Sequence, residues 1–219
     1  MVEFKHVHKV YERDWVALKD FNLKMEKGDF LFLVGPSGAG KSTVLRLIYM
    51  EQFPTKGEVV VSGYSSSTIR LREIPLLRRK IGVIFQDFKL LNDRDVFDNV
   101  AFALRVTNAP RRLIKKKVLQ VLADVRLSHK RNSYPYQLSG GEQQKVAIAR
   151  ALVRDPFILL ADEPTGNIDP QGSQEILQFL KDINAGGTAV LMATHNRELV
   201  EKTAFQTVFI EGGEVKGRE

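Results

Sequence analysis

The sequence contains no cysteine, and its 219 residues include only 16 glycines and 8 prolines. The lack of cysteine excludes disulfide bonds, thiolate nucleophiles and cysteine-ligated zinc, and it fits a reducing compartment. With 43% hydrophobic and 27% charged residues, the composition excludes collagen-like and wholly disordered chains. No run approaches the roughly 18 apolar residues of a membrane-spanning helix, and the first residues lack a secretory hydrophobic segment. We therefore expect a globular protein of the cytoplasm.

Acidic residues are the scarcer charged class, with 26 Asp and Glu against 33 Lys and Arg, which gives a formal net charge of +7. The basic residues cluster at Arg70, Arg72, 78–80, Arg111, Arg112, 115–117, Lys130 and Arg131. Such clusters are typical of a solvated face, of a surface that meets anionic lipid, or of one that meets a nucleic-acid backbone. Charge alone does not distinguish these three.

Short apolar runs alternate with segments of helical periodicity, a pattern that predicts an α/β fold with a mostly parallel sheet. The predicted strands are 30–34, 59–61, 81–85, 157–161, 189–193 and 207–210, and the predicted helices follow Lys41 and cover 113–122, 143–152 and 176–183. Alternating segments at 2–4 and 21–25 predict an antiparallel flank, and the turn at 211–214 predicts a terminal hairpin. We expect one domain, 1–219, with a helical lobe inserted at about 88–137.

A phosphate-binding loop follows the first apolar strand. Gly35, Pro36, Ser37, Gly38, Ala39, Gly40, Lys41 and Ser42 fit the pattern G-x-x-x-x-G-K-[ST] between a strand and a helix. Its backbone N–H groups would bind phosphate oxygens, Lys41 would reach the β- and γ-phosphates, Ser42 would ligate Mg²⁺, and Thr43 would donate to an α-phosphate oxygen. The alternative, a glycine-rich turn, is disfavoured by this context.

Two carboxylates follow the apolar strand at 157–161. Parallel strands deliver such groups to the carboxyl edge of the sheet, where ligands bind in α/β proteins. Asp162 is then placed to hold Mg²⁺, and Glu163 to polarise the water that attacks the γ-phosphate. Without the phosphate loop, a merely solvated Asp-Glu pair would be the simpler interpretation.

A further motif, Leu138-Ser139-Gly140-Gly141-Glu142-Gln143, opens a predicted helix, and Ser139 with Glu142 also fits a capping box. This motif resembles the LSGGQ-like signature of the ATP-binding cassette (ABC) ATPases, and the resemblance extends over essentially the whole chain. The matching residues, in family order, are Tyr11, 35–43, Gln86, 139–143, Asp162, Glu163, 167–169 and His195.

The resemblance implies a RecA-like P-loop core with a mostly parallel sheet, an antiparallel β flank and an inserted helical subdomain. It also implies a head-to-tail homodimer in which each ATP lies between the phosphate loop of one copy and the signature of the other. The ATP ligands implied are Tyr11, Gly35, Pro36, Ser37, Gly38, Ala39, Gly40, Lys41, Ser42, Thr43, Gln86, Ser139, Gly140, Gly141, Glu142 and Asp169. The implied Mg²⁺ ligands are Ser42, Gln86 and Asp162, and the implied catalytic residues are Glu163, His195, Gln86 and Lys41. For Tyr11, stacking on adenine and simple packing both stay open.

Three segments, 73–82, 84–91 and 96–101, are similar to the cell-division subfamily of ABC ATPases. This resemblance implies a peripheral subunit on the cytoplasmic face of the bacterial inner membrane. Such a subunit would signal through an FtsX-like integral membrane protein to regulate cell-wall hydrolases. Residues 160–167 are equally similar to lipoprotein-release and macrolide-export ATPases. Ile168, where leucine is usual, and Lys145, where arginine is frequent, depart slightly from the family pattern.

Several alternatives remain at this point. The first is the ATPase of a lipoprotein- or macrolide-type exporter, which would share the chemistry. A nucleic-acid-associated ABC ATPase is disfavoured because the interval between Gln86 and Ser139 has no sustained heptads, so we expect no nucleic-acid partner. A module without turnover is disfavoured because Glu163 and His195 are present. The membrane partner is expected to dock on a groove formed by Phe88, Leu90, Leu91, Val96 and Phe97, although Val96 and Phe97 could equally pack in the lobe.

Overall fold

The computed structural model describes residues 1–218 and all of their side chains except that of Arg13, so Glu219, the last residue of the predicted domain, lies outside the described residues. The strands are β1 Val2–Val10, β2 Val16–Met25, β3 Phe30–Val34, β4 Lys56–Val61, β5 Tyr64–Ser65, β6 Ile81–Ile84, β7 Ile158–Asp162, β8 Ala189–Thr194, β9 Gln206–Glu211 and β10 Glu214–Arg218. The helices are α1 Lys41–Ile48, α2 Ile74–Arg78, α3 Val96–Arg105, α4 Arg111–Asp124, α5 Gly140–Leu152, α6 Pro170–Ala185 and α7 Arg197–Glu201.

A six-stranded sheet with the order β10-β9-β3-β8-β7-β6 forms the centre of the molecule. All pairings except β9 with β10 are parallel. In β3, Phe30, Phe32 and Val34 point into one hydrophobic core while Leu31 and Leu33 point into the other. The strand is apolar throughout because both faces of the sheet are covered. The predicted α/β class with a mostly parallel sheet is confirmed.

A second, antiparallel sheet with the order β2-β1-β4-β5 covers one face of the central sheet through α1. Strands β1 and β2 are much longer than the predicted segments 2–4 and 21–25, and their pairing carries several register shifts. His6 and Asp20 adopt left-handed backbone conformations there, with φ of 48° and 46°. These irregularities interrupt the apolar–polar alternation, which explains why the sequence pattern marked only the strand ends.

Helices α3 and α4 lie in the interval 88–137, and both pack against α5. Helix α3 was not predicted, because Asn99 interrupts its apolar face at a fully buried position. The Asn99 side chain donates to the Leu91 carbonyl at 3.0 Å and accepts from the Leu91 N–H at 2.8 Å, so it fixes the loop before the helix. Helices α2 and α7, of five residues each, were also missed.

Val96 does not belong to the expected docking groove. Its side chain is only 1% exposed and lies in the core under α3, while Phe97 and Leu90 are half-buried against the same core. For Val96, packing in the lobe is therefore the correct interpretation.

Within residues 1–218, we find no helix that combines the length and the hydrophobicity required to cross a bilayer.

Candidate active site

The phosphate loop joins β3 to α1, as its pattern predicts, and close backbone packing requires glycine at Gly35 and Gly40. Gly40 has φ of 107°, and a Cβ at this position would lie 2.5 Å from the Ala17 carbonyl oxygen. The Lys41 ammonium is buried and donates to the carbonyls of Gly35 at 2.7 Å and Pro36 at 3.0 Å. The loop thus curls around a cation that can donate instead to phosphate oxygens.

Ser42 and Asp162 meet at the carboxyl edge of the sheet, where Ser42 Oγ donates to Asp162 Oδ1 at 3.2 Å. Burial raises the pKa of Asp162, because desolvation disfavours the charged carboxylate unless a cation faces it. Ser42, Gln86 and Asp162 together line a cavity of about 520 Å³. Hydroxyl, amide and carboxylate oxygens are the donors that Mg²⁺ takes, so the residues fit the predicted metal site.

Glu163 lies directly after β7 in a left-handed conformation, with φ of 48°, and is only 9% exposed. Its Oε1 is 3.4 Å from Lys41 Nζ, and its Oε2 is 3.0 Å from His195 Nδ1. The His195 backbone N–H also donates to Oε2 at 3.3 Å. A strained, buried carboxylate held by two partners is typical of a functional position. The structure therefore brings Lys41, Glu163 and His195 together, as the interpretation of the motifs requires.

Tyr11 lies beside the phosphate loop, and its hydroxyl is 3.4 Å from Thr43 Oγ1. The ring stacks on Trp15 at a centroid distance of 5.1 Å and an angle of 21°. Both aromatic residues, with Gly38, Gly40 and 41–43, line a cavity of about 730 Å³. Trp15 is 52% exposed and was missed by the sequence analysis, although it is the single tryptophan of the chain and stands in a polar turn.

Ser139 is the N-cap of helix α5 and forms the predicted capping box with Glu142. Its Oγ accepts from the Glu142 N–H at 3.2 Å, and its own N–H donates to Glu142 Oε2 at 2.9 Å. A Cβ on Gly140 would lie 3.4 Å from the Asn167 carbonyl oxygen, so the signature packs on the segment after Glu163. The signature residues do not line the cavity at the phosphate loop of the same chain.

The remaining predicted residues surround this centre. Asp169 caps α6, since its Oδ1 accepts from the Gly172 N–H at 2.9 Å. Gln86 is exposed, and its carbonyl accepts from Asn167 Nδ2 at 3.2 Å. The side chain of His195 is 58% exposed although its Nδ1 contacts Glu163.

Gln144 is a further residue that the sequence analysis missed. It is fully buried in α5, and its Nε2 donates to the carbonyl of Pro164, the residue after Glu163, at 2.8 Å. Its Oε1 has no hydrogen-bond partner among the described residues. The signature helix is thus joined directly to the backbone that carries Glu163.

Comparison with known proteins identifies the family. The profile of the ABC transporter family matches residues 18–166. The cell division ATP-binding protein FtsE of Bacillus subtilis is 50% identical over 97% of this chain and 93% of its own length. FtsE of Mycobacterium tuberculosis is 49% identical, with the same coverage. FtsE of Escherichia coli is 44% identical over 99% of this chain and 98% of its own length.

Solved structures agree with these sequence relationships. The ATP-binding cassette MJ0796, in a dimeric post-hydrolysis state bound to ADP and Pi, superposes with a TM-score of 0.90 at 36% identity, over 100% of this chain and 98% of the other. CbiO1 of Clostridium perfringens, part of the ABC transporter complex CbiONQ, gives a TM-score of 0.91 at 27% identity, over 99% of this chain and 87% of the other. These findings confirm the predicted ABC fold and ATPase activity, and the predicted similarity to the cell-division subfamily. The chain belongs to the ABC transporter ATPase family and, within it, to the FtsE group of cell-division ATP-binding proteins.

Proposed function

We propose that this chain is the ATP-hydrolysing subunit of an FtsEX-type complex on the cytoplasmic face of the bacterial inner membrane. ATP-driven dimerisation would signal through an FtsX-like membrane protein to regulate cell-wall hydrolysis. The observation that carries this proposal is the 50% identity with an FtsE protein over nearly the full length of both chains. The structural unit of this subunit would be a single domain, residues 1–219, with the helical lobe at about 88–137.

The proposed dimer explains why one chain holds only part of a nucleotide site. The cavity at the phosphate loop is lined by Tyr11, Trp15 and Lys41, among others. Ser139, Gly140 and Gly141 do not line it. A second copy, related by two-fold symmetry, would supply these three residues to the γ-phosphate and complete two equal sites. The dimeric state in which MJ0796 was solved with ADP and Pi supports this arrangement.

In the proposed mechanism, each polar group near the phosphates has one task. Lys41 exchanges its two carbonyl partners for β- and γ-phosphate oxygens, and the adjacent backbone N–H groups donate to the same phosphates. Mg²⁺, held by Ser42, Asp162 and Gln86, would neutralise charge on the phosphates. Glu163 Oε1 accepts the proton of the attacking water. His195, kept in place by Glu163, contacts the γ-phosphate.

The aromatic pair leads to a prediction about the base. Because every base offers a π-face, stacking on Tyr11 and Trp15 should be worth roughly 1–3 kcal/mol per stacked ring and should tolerate different bases. Tyr11→Ala and Trp15→Ala should each weaken ATP and GTP binding by about 5- to 150-fold, as measured by titration with fluorescent nucleotides. If affinity changes by less than about twofold in Trp15→Ala alone, only Tyr11 stacks on the base; if this holds in both, the pair is structural.

The membrane partner is proposed to dock beside Gln86, on a groove formed by Phe88, Leu90, Leu91 and Phe97. Leu91 is half-buried, and its backbone is fixed by Asn99. Of these residues, Leu90 and Phe97 also pack against the core, so Leu91 is the better position for a test. The basic residues Arg78, Arg79 and Lys80, all exposed, would face anionic lipid.

Leu91→Glu should reduce binding to FtsX-containing membranes by roughly 30-fold or more, since a few apolar anchors carry most of the affinity of such interfaces. Its ATPase rate and thermal stability should stay near the parental values. Leu113→Glu is the control, because Leu113 is a leucine on α4 that is 40% exposed and lies outside the proposed groove. Binding is measured by co-sedimentation with vesicles that contain FtsX or, for the exporter alternative, a lipoprotein- or macrolide-type membrane subunit. Equal loss of binding in both variants would refute the groove as the docking site. Binding only to vesicles with the exporter subunit would refute the assignment of FtsX as the partner.

A further inference from the structure

The loop after Gln86 has an unusual backbone. Phe88 and Lys89 are consecutive non-glycine residues with φ of 56° and 51°. Left-handed conformations are disfavoured for residues with a Cβ, and two in succession require support from the surrounding structure. The sequence offers no glycine at either position, so the support has to come from other contacts.

Arg150, near the end of α5, provides that support. Its Nη1 donates to the Lys89 carbonyl at 2.6 Å, and its Nη2 donates to the Phe88 carbonyl at 2.7 Å. The guanidinium is half-buried, and desolvation lowers its pKa. The guanidinium thus donates to two neutral carbonyls, which a planar fork can bind simultaneously and a lysine ammonium cannot bind with the same geometry.

The same loop contacts the other end of α5. A Cβ on Gly140 would lie 4.0 Å from Phe88 Cζ and 3.4 Å from the Asn167 carbonyl oxygen. Asn167 in turn donates to the Gln86 carbonyl at 3.2 Å. The signature at the start of α5 therefore lies beside the same loop that Arg150, near the end of the helix, binds two residues from Gln86.

We propose that Arg150 is a positioning residue for ATP hydrolysis. By clamping the left-handed pair Phe88–Lys89, it fixes Gln86 relative to the signature helix. Gln86 and Ser139 can then act in one rigid unit when the two copies close on ATP. The inference rests on the proposed role of Gln86 at the nucleotide. It assigns to Arg150 no contact with ATP, Mg²⁺ or water.

The first test separates chemistry from binding in steady-state ATP hydrolysis by the isolated chain. Arg150→Lys and Arg150→Ala should lower kcat by about tenfold, because small misplacements of catalytic groups cost that much or more. KM for ATP should change by less than about twofold, since the cavity formed by Tyr11, Trp15 and the phosphate loop is untouched. The matched control is Arg154→Ala, a half-buried arginine just beyond α5, which should keep the parental kcat.

The second test uses rescue. Glycine adopts the left-handed conformation without a penalty, so Lys89→Gly in the Arg150→Ala background should recover about threefold or more of the lost kcat. Lys89→Ala is the control, because it removes the same side chain and its 3.1 Å ion pair with Asp87 but keeps the backbone penalty. It should recover nothing. If Arg150→Ala does not fold, as judged by circular dichroism, the rescue is measured on Arg150→Lys.

A double-mutant cycle then tests whether Arg150 acts through Gln86. In a Gln86→Ala background, Arg150→Lys should cause no further loss of kcat. Any one of four results would overturn the proposal. They are a parental kcat in folded Arg150→Lys, a raised KM with unchanged kcat, equal rescue by glycine and alanine, and full additivity with Gln86→Ala. Parental activity of Gln86→Ala would instead refute the proposed role of Gln86 in hydrolysis. The single variants of Arg150 cannot give this result, so the two failures can be distinguished. Since the assays use no membrane partner, failure of the FtsX assignment would leave these outcomes unchanged.

Discussion

Replacing Glu163 with glutamine is expected to lower kcat for ATP hydrolysis by about 10²- to 10⁴-fold, the usual loss when a general base is removed. Glutamine keeps the size and the hydrogen bond from the His195 N–H, which reaches Glu163 Oε2 at 3.3 Å. It cannot accept a proton from water, so ATP should bind and stay bound. The variant should therefore accumulate as an ATP-bound dimer, observed as a doubled mass in size-exclusion chromatography with light scattering in the presence of ATP and Mg²⁺.

The control for this experiment is His195→Ala, which removes a partner of Glu163 while leaving the carboxylate in place. It should reduce turnover less than Glu163→Gln does, because the proton acceptor survives. A Glu163→Gln variant that hydrolyses ATP at the parental rate would refute the role of Glu163. A variant that binds ATP, does not hydrolyse it and stays monomeric would refute the proposed dimer while sparing the chemistry.

Glu163 also shows why the site could be predicted from sequence as far as its motifs extend. A parallel strand that ends in Asp-Glu carries both carboxylates to the carboxyl edge of the sheet. Strand β7 pairs in parallel with β6 and β8, so the two carboxylates lie at that edge. The phosphate loop is similarly local, because strand, glycines and helix are consecutive. Both features follow from short-range chemistry that leaves a pattern in the chain.

The residues that were missed act over long sequence separations. Gln144 donates to a carbonyl 20 residues away, and Arg150 to carbonyls 61 and 62 residues away. A backbone carbonyl is present at every residue, so its use as an acceptor leaves no trace in the sequence. Trp15 differs, since a lone exposed tryptophan was a visible signal. Its stacking on Tyr11 depends on the turn between β1 and β2. These two strands pair irregularly, and the apolar pattern does not reveal that pairing.

The proposed groove for the membrane partner shows the same limit of prediction from sequence. Val96 and Leu91 are both apolar residues in a mostly polar stretch, and for Val96 the sequence favours neither docking nor packing in the lobe. In the structure, the Asn99 side chain fixes the Leu91 backbone, whereas Val96, which follows the N-cap Asp95 of α3, turns into the core. Which of the two side chains faces the core thus depends on backbone contacts that the apolar pattern does not show.

Lys41→Ala is expected to weaken ATP binding by roughly 10²- to 10⁴-fold, in contrast with Glu163→Gln, which should leave binding intact. The Lys41 ammonium makes two hydrogen bonds to carbonyls, and in the ATP complex it would make charge-assisted ones worth about 1.5–3 kcal/mol each. Alanine removes them and leaves the Glu163 carboxylate, 3.4 Å away in the parental chain, to repel the γ-phosphate. Affinity is measured by isothermal titration with ATP.

The repulsion from Glu163 can be separated from the lost hydrogen bonds by a double variant. Lys41→Ala with Glu163→Gln removes the cation and the opposing carboxylate together, so it should bind ATP more tightly than Lys41→Ala alone, by several-fold. Lys41→Arg serves as the control for charge, since it keeps the cation but replaces a compact ammonium by a planar fork that the curled loop does not accommodate. It should recover only part of the affinity. Parental ATP affinity in folded Lys41→Ala would refute the assignment of the phosphate loop. Equal affinities of the single and double variants would show that Glu163 does not face the γ-phosphate. Glu163 could then not be the general base.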